Sequence, residues 1–278
     1  MTVCLCGNMN QDILFFLERF PDFHEKVVTR YYFIGQGGSA ANTAWWLSKM
    51  GVGTKMVGCV GRDSLGDDAI EGLKEAGIDT SGVSRSCKRT GLATIISCGQ
   101  DKRMIKVSGA NDDISFKAEN FADAEHIHLS SLGEAVTGKI IRFAEENGIP
   151  VSWDPSGSIM GDVLDKVDYL FINEDDMERN SKLIENNPPK NTIITLNNGG
   201  CVINGSIKVD SFGIDALDTT GAGDSFDAGF IYGLINGMEL GDCGKLGVAC
   251  ASENIRMVGS REGFRGLKEI KKIMDGKP

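Results

Sequence analysis

Strand-length apolar runs, TVCLCG, KMVGCV, HIHLSS, PVSWD, DYLFIN and TIITL, are separated along the chain by segments with helical spacing. A strand followed by a helix does not return through a tight hairpin; it crosses over and pairs in parallel with the next strand. The alternation therefore predicts an α/β fold with a mostly parallel central sheet flanked by helices on both faces. Helices are predicted at 40–50, 65–76, 134–147, 174–185, 221–237 and 240–258. The first two are closed by Gly51 and Gly77, since a glycine just past a helix end accepts the left-handed conformation. Two stretches, 13–34 and 90–107, break the rhythm with β-like segments, VVTRYYFI in one and LATIISC and RMIKVS in the other, and no helix. A complete β-α-β passage lies between them, so they predict a small sheet assembled from two excursions, a lid on a single domain spanning 1–278.

Charge narrows the partners. Lys and Arg number 29 against 39 Asp and Glu, a net charge of -10 that on average repels nucleic-acid backbones and anionic membranes. No run reaches the roughly 18 apolar residues of a membrane span. The first residues, MTVCLCGNMNQDILFF, lack the positive lead and long apolar core of a signal peptide and read as a strand, so a cytoplasmic location is expected. Eight cysteines without a C-x-x-C pair read as reduced, mostly buried thiols, Cys4 and Cys6 among them on one strand face.

Residues 218–230 read DTTGAGDSFDAGF. Phe226, Phe230 and Leu234, with Ile231 and Ile235 beside them, share one side of a helix that starts near Gly221, and that side is expected in the core. The first amides of such a helix have no acceptor inside it and carry the positive end of the backbone dipole. Gly221, Ala222 and Gly223 leave those amides open to an anion. A carboxylate at Asp224 repels an anion unless it has work of its own. Taking a proton from a hydroxyl, while the amides hold charge developing on a phosphoryl group, is such work. An ordinary helix start with a first-turn acid accounts for the same spacing.

The string resembles the C-terminal signature of the ribokinase-like (PfkB) family of sugar kinases. GQGGSAANTA, with Gly37, Gly38 and Asn42, resembles the family's other signature, and GNMNQD, with Asn10 and Asp12, its first-strand motif. GCVGRDSLG resembles its G-x-V-G-x-D-x-x-G turn, so the resemblance runs from residue 5 to residue 263. It implies a ribokinase-like three-layer fold with a small β-sheet lid, and ATP with magnesium. The activity it implies is transfer of the γ-phosphoryl group to a hydroxyl of a sugar or sugar-like acceptor. By position it implies Asp224 as general base, the backbone of Gly221, Ala222 and Gly223 as anion hole, and Asn10, Asp12, Gly37, Gly38 and Asn42 around the acceptor. The residue types agree: Asp12 can accept from two hydroxyls, Asn42 both donates and accepts, and the glycine pair lets backbone approach a sugar ring. A tight strand-to-helix turn followed by a helix with Trp45, Trp46 and Leu47 partly in the core accounts for the glycine pair as well.

FINEDD stands where the family has an N-x-x-E motif that orders water around the metal: Asn173 matches, Asp176 replaces the glutamate, and Glu174 is the other candidate for magnesium; a helix start with first-turn acids accounts for the same string equally well. TLNNGG stands at a Thr-x-Gly-x-x-Gly motif near the nucleotide phosphates, where Thr195 and Gly200 match and Asn197 replaces a glycine. Asp218 and Thr220 match two positions of a monovalent-cation site, which implies potassium, although NIRMVGSREG departs from the small residues of its remaining ligands.

Other chemistries fit less well. No G-x-x-x-x-G-K-[ST] string occurs, and the first strand is not followed by G-x-G-x-x-G. His126 and His128 share a strand face as metal ligands can, but His24 is the one further imidazole, and packing near a helix is the expected role. Within the same fold, a nucleoside or sugar-amine kinase and a non-catalytic nucleotide-binding regulator are the alternatives. The lid carries Phe15, Phe16, Tyr31, Tyr32 and Phe33, an aromatic face expected to be covered by a second subunit in a homodimer. Arg103 and Lys106 on its second half are within reach of an anionic acceptor group, with a solvated surface position as the default reading.

Overall fold

In the computed structural model, which describes residues 2–99, 101–157 and 159–276, the chain begins with β1 (Thr2–Gly7), β2 (Asn10–Phe16) and β3 (Tyr31–Gly37), then α1 (Ser39–Lys49), β4 (Gly53–Gly61), α2 (Ser64–Glu75) and β5 (Asp79–Ser86). It continues through β6 (Gly91–Cys98), β7 (Asp101–Val107), β8 (His126–Ser130), α3 (Glu134–Asn147), β9 (Val151–Asp154), β10 (Tyr169–Asn173), α4 (Glu174–Asn186) and β11 (Thr192–Thr195). It ends with β12 (Cys201–Ile203), β13 (Ile207–Val209), α5 (Ala222–Ile235), α6 (Leu240–Asn254) and α7 (Leu267–Met274). Among the described residues, nine strands form one sheet in the order β13-β12-β11-β10-β9-β8-β1-β4-β5, and four form a second sheet in the order β3-β2-β6-β7. The large sheet is parallel from β11 to β5, and only β12 and β13 at one edge run antiparallel.

Alternate residues of each strand feed opposite layers. Val3, Leu5, Met56, Phe171 and Ile193 pack with α1, α2, α5, α6 and α7, whereas Cys4, Cys6, Val57, Ile127 and Leu129 pack on the other face with α3 and Ile184 of α4. This is the predicted three-layer arrangement, with Cys4 and Cys6 as buried thiols. Gly51 and Gly77 follow α1 and α2 in the left-handed region, at φ 89° and 85°. Asp63 caps α2, accepting from the amides of Gly66 at 3.0 Å and Thr90 at 3.0 Å, and so ties the G-x-V-G-x-D-x-x-G turn to the start of the lid's second half.

The lid differs from expectation in its bounds. Its first half spans Asn10 to Gly37, and 27–30 is not strand: β2 ends at Phe16, whose partner is Tyr31, so Val27 and Val28 have no ladder to join and lie exposed. The inner face carries Leu14, Ala93 and Ile95 against Phe16, Phe33 and Val258. The helix predicted to reach 258 stops at Asn254. There the Asn254 side chain donates to the Thr220 carbonyl at 2.7 Å, and the Ile255 carbonyl accepts from the amide of Leu217 at 2.8 Å. These bonds draw 255–266 across the C-terminal edge of the sheet instead of letting the helix continue.

That segment is pinned by a buried carboxylate. Glu253 is fully buried and takes a two-pronged bond from Arg265, Nε to Oε1 at 2.6 Å and Nη2 to Oε2 at 2.7 Å, with Arg256 Nε farther off at 3.6 Å. Trp46 anchors it from the other side through Nε1 to the Ser260 carbonyl at 3.0 Å and an edge contact with Phe264. Replacing Arg265 by Ala leaves the carboxylate buried without its main partner. The expected loss is about 3 kcal/mol of unfolding free energy, read from urea melts; an unchanged midpoint would show that the pair does not anchor the segment.

Candidate active site

The site forms where two helices start side by side. Gly38 enters α1 at φ 98°, and a side chain there would run into the backbone of Asn8 and Met9. A Cβ on Gly37 would fall on the Asp12 carboxylate, so this glycine makes room for an acid. Asp12 is buried, and its Oδ1 has no partner in the protein. Burial, with Asp224 nearby, pushes its carboxyl up to about 6, against the pull of Arg261 and Lys106. Asn10 accepts from Asn111 Nδ2 at 2.8 Å, which fixes its amide at the cleft wall.

Asp224 lies one turn into α5 and Asn42 one turn into α1, and Asn42 Nδ2 donates to Asp224 Oδ2 at 2.8 Å. The Asn42 carbonyl oxygen accepts from Arg261 Nε at 2.9 Å and Ser260 Oγ at 3.1 Å. Arg261 also holds Gln36 Oε1 at 2.9 Å. Asn42 is thus committed within the protein: it orients Asp224 rather than facing the cleft unbonded. Burial raises the Asp224 carboxyl, and the bonds from Asn42 and Ser39, with Lys106 and Arg261 at longer range, work in the other direction. The buried Arg261, pulled down to about 10 by burial, was not anticipated from the sequence; its one signal was the odd composition of GSREG after the last long helix.

The strap before α5 has a strict backbone requirement at Gly221. Its φ is 77°, and a Cβ would lie 2.7 Å from Ser260 Cα. Ala222 N is used within the strap, donating to the Thr219 carbonyl at 3.2 Å. This departs from the expectation that all three amides at 221–223 are open. Among the described residues the amides of Gly221, Gly223 and Asp224 have no protein acceptor, and a Cβ on Gly223 would meet only open space.

Two cavities meet on this strap. One, of about 300 Å³, brings together Asp12, Asn10, Gly38, Asn42, Asp224 and Lys106. The other, of about 520 Å³, is lined by Thr195, Asn197, Gly200, Ile214, Phe226 and Ile255. Thr219, Ala222 and Gly223 belong to both. Such volumes suit small ligands.

Of the residues expected near the nucleotide, Asn173 does not line either cavity. It caps α4, accepting from Asp176 N at 2.8 Å and donating to Asp176 Oδ2 at 2.8 Å, while Arg179 holds Asp176 Oδ1. Glu174 accepts from Asn197 N at 2.7 Å and so steadies the loop after β11. Asp154, which ends β9, was missed. Burial and the charges of Asp224 and Asp176 push its carboxyl up to about 6. An acid at the C-terminal end of a parallel strand was the signal for it.

Asp218 and Thr220, expected around a monovalent cation, are bonded to each other, Thr220 Oγ1 to Asp218 Oδ1 at 2.8 Å. Lys102 from the lid donates to the same oxygen at 2.6 Å. Strand parity puts Lys102, Met104 and Lys106 on the cleft side of β7, whereas Arg103 turns away and lies over the Phe20 ring at 4.1 Å. Arg103 is therefore directed away from the cavity that Lys106 lines. His126 and His128 are buried and share Ser152 Oγ, at 2.8 and 2.9 Å. Among the described residues no group of three or more His, Cys, Asp or Glu is placed to hold a metal ion; His128 lies 3.7 Å from Asp227 of α5, and His126 lies against the Tyr169 ring.

The profile of pfkB family carbohydrate kinases matches residues 2–265. A ribokinase of Lactococcus lactis subsp. lactis is 27% identical over 97% of this chain and 95% of its own. A nucleoside kinase of Methanocaldococcus jannaschii is 28% identical over 88% and 87%. In three dimensions, a ribokinase of Thermotoga maritima superposes with a TM-score of 0.87 at 25% identity, covering 99% of both chains. With its two signature glycine turns facing each other across one cleft and the family profile running through nearly all of it, the chain belongs to the PfkB family of carbohydrate kinases.

Proposed function

We propose that this chain transfers the γ-phosphoryl group of ATP to a hydroxyl of a sugar or sugar-like acceptor, with Asp224 as the general base and the strap amides as the anion hole. The observation that carries this is the shared wall: Asp224 and Asp12, the latter with an unpaired buried oxygen, line one cavity, which meets the second at Gly223. An acceptor hydroxyl bound to Asp12 would give its proton to Asp224, its oxygen would bond to the γ-phosphorus, and ADP would leave. Negative charge on the migrating group would fall on the amides of Gly221, Gly223 and Asp224 at the positive end of α5. Asn42 holds Asp224 so that one carboxylate oxygen remains for the proton.

Lys106 and Asn10 support acceptor binding from the lid, and Thr195, Asn197 and Gly200 support nucleotide binding. A magnesium ion would supply neutralisation of the phosphate charge; Glu174, bonded to Asn197 at the nucleotide cavity, and Asp154 are the acids that would hold it, since both oxygens of Asp176 are already taken by Asn173 and Arg179. Lid and sheet would act as one domain, with closure keeping water from competing as acceptor. Homodimerisation through the lid is supported by its outer face. There Ile34, Ile13, Thr94 and Ile105 stand in register in one row, with Ile34 55% and Ile105 64% exposed.

A panel of free sugars, sugar phosphates, sugar acids and nucleosides, scored by ADP release, should show turnover with at least one member. Asp224→Asn should lower kcat for that acceptor about 10²–10⁴-fold with nucleotide affinity nearly unchanged; equal turnover in both forms would remove Asp224 from the mechanism.

The raised carboxyls fix the pH dependence. Asp12 moves from 3.8 to about 6 on folding, so the folded state binds more protons in that interval. Its contribution to stability is present below the unfolded value and is lost as pH rises through the folded one. Asp12→Asn should therefore raise stability at about pH 7.5 by on the order of 2 kcal/mol and gain little near pH 4, while abolishing acceptor binding. Thermal melts of both proteins across that range check the sign, and an Asn variant less stable at neutral pH contradicts it.

A further inference from the structure

Asp218 is buried, and both of its oxygens are already engaged. Oδ1 accepts from Lys102 Nζ at 2.6 Å, from Thr220 N at 3.1 Å and from Thr220 Oγ1 at 2.8 Å, and Oδ2 accepts from Gly259 N at 3.0 Å. Lys102 Nζ also donates to Thr219 Oγ1 at 3.0 Å. A free potassium ion at this carboxylate would have to displace the ammonium or stand beside it, charge against charge. The residues present therefore do not fit a monovalent metal ion.

The ion pair joins three pieces of chain. Lys102 comes from β7 of the lid, Asp218 opens the strap that carries the bare amides, and Gly259 precedes Ser260 and Arg261, which hold Asn42 on Asp224. Lys102 also lines the cavity that contains Asp12 and Asp224. Asp218 is almost wholly enclosed and Lys102 about one-third exposed, with side-chain accessibilities of 2% and 31%, so the bond is shielded from solvent on the carboxylate side.

We infer that Lys102 is a positioning residue whose tethered ammonium takes the place of a monovalent cation, fastening the lid to the phosphate-binding strap and freeing the enzyme from potassium. The inference rests on the kinase reading of the site. Lid and strap are then ordered together: drawing β7 over the acceptor brings the ammonium onto Asp218, and that charge fixes the peptide run from 218 to 221. A strand so fastened closes one wall of the acceptor cavity at the moment the other wall must present its amides.

The test uses the full chain with its best acceptor. At constant ionic strength the native enzyme should turn over equally in potassium, sodium and choline chloride. In Lys102→Ala, kcat should fall about tenfold or more with the KM for ATP nearly unchanged. Added potassium or ethylammonium should restore part of it in a saturable way, which a merely structural defect would not allow. Lys102→Arg, which keeps a cation at the site, should retain more activity than Ala. Activation of the native enzyme by potassium over sodium overturns the proposal, as does an Ala variant with native kcat or one that no cation restores. Absence of turnover in the native protein with every acceptor would instead sink the kinase reading itself.

Discussion

A single amide, Asn42, sets the geometry on which the rest of the site depends. It reaches from the first turn of α1 to the first turn of α5 and bonds Asp224, and its other end is held by Arg261 and Ser260 from the far end of the chain. Three remote segments therefore converge on one carboxylate, and none of the three can shift without moving it. An aspartate in that place would set two carboxylates against each other. A leucine would leave Asp224 and Arg261 without their bonds in a largely buried setting. The amide is the group of this size that can donate to an acid and accept from a guanidinium at once.

Burial makes the surrounding acids costly, and the fold answers with fixed positive groups instead of water. Asp12 and Asp154 are each raised by burial and by Asp224, Asp224 itself is raised by burial, and Asp227, one turn beyond Asp224, is raised well above the usual range by burial and by its neighbours Asp154 and Asp224. Against them stand Arg261, Lys106, Lys102 and the starts of α1 and α5. On a chain with a net charge of -10, the inner face of β7 brings Lys102 and Lys106, and the segment after α6 brings Arg261, among these acids. Deep in the core, His128 and Asp227 approach at 3.7 Å with both facing atoms unsatisfied, a polar seam that the proposed chemistry does not use.

Much of the architecture was legible in the sequence because parallel strands buried on both faces are written as continuous apolar runs. Where burial was partial the signal faded. β5, DTSGVSRS, lies at the sheet edge with only Gly82 and Ser86 buried, and it has no apolar run to read. β12 and β13 have three residues each and were passed over for their shortness. The motif residues Asn10, Asp12, Gly38, Asn42 and Asp224 line one cavity, but what each of them bonds to was not legible. Whether Asn42 bonds a ligand or a neighbouring acid depends on Ser260 and Arg261, which approach only in three dimensions. The same holds for Asn173, whose amide closes on Asp176 as a helix cap.

Strand parity separates the two faces of the lid's second excursion, and it bears on specificity in the proposed reaction. On β7 the side chains at 102, 104 and 106 face the cleft and those at 103, 105 and 107 face away, so naming Arg103 with Lys106 joined residues from opposite faces. The cleft-facing set is a lysine bound to the strap, a methionine and an unpaired lysine, while the body contributes Asp12, Asn10 and Asp224. Of the body groups, Asn10 is held by Asn111 and Asp224 by Asn42, so in the proposed reaction neither can vary without disturbing the site. Met104 and Lys106 carry no such bonds among the described residues, so on the proposed function they are the positions at which one acceptor would be preferred to another without moving Asp224.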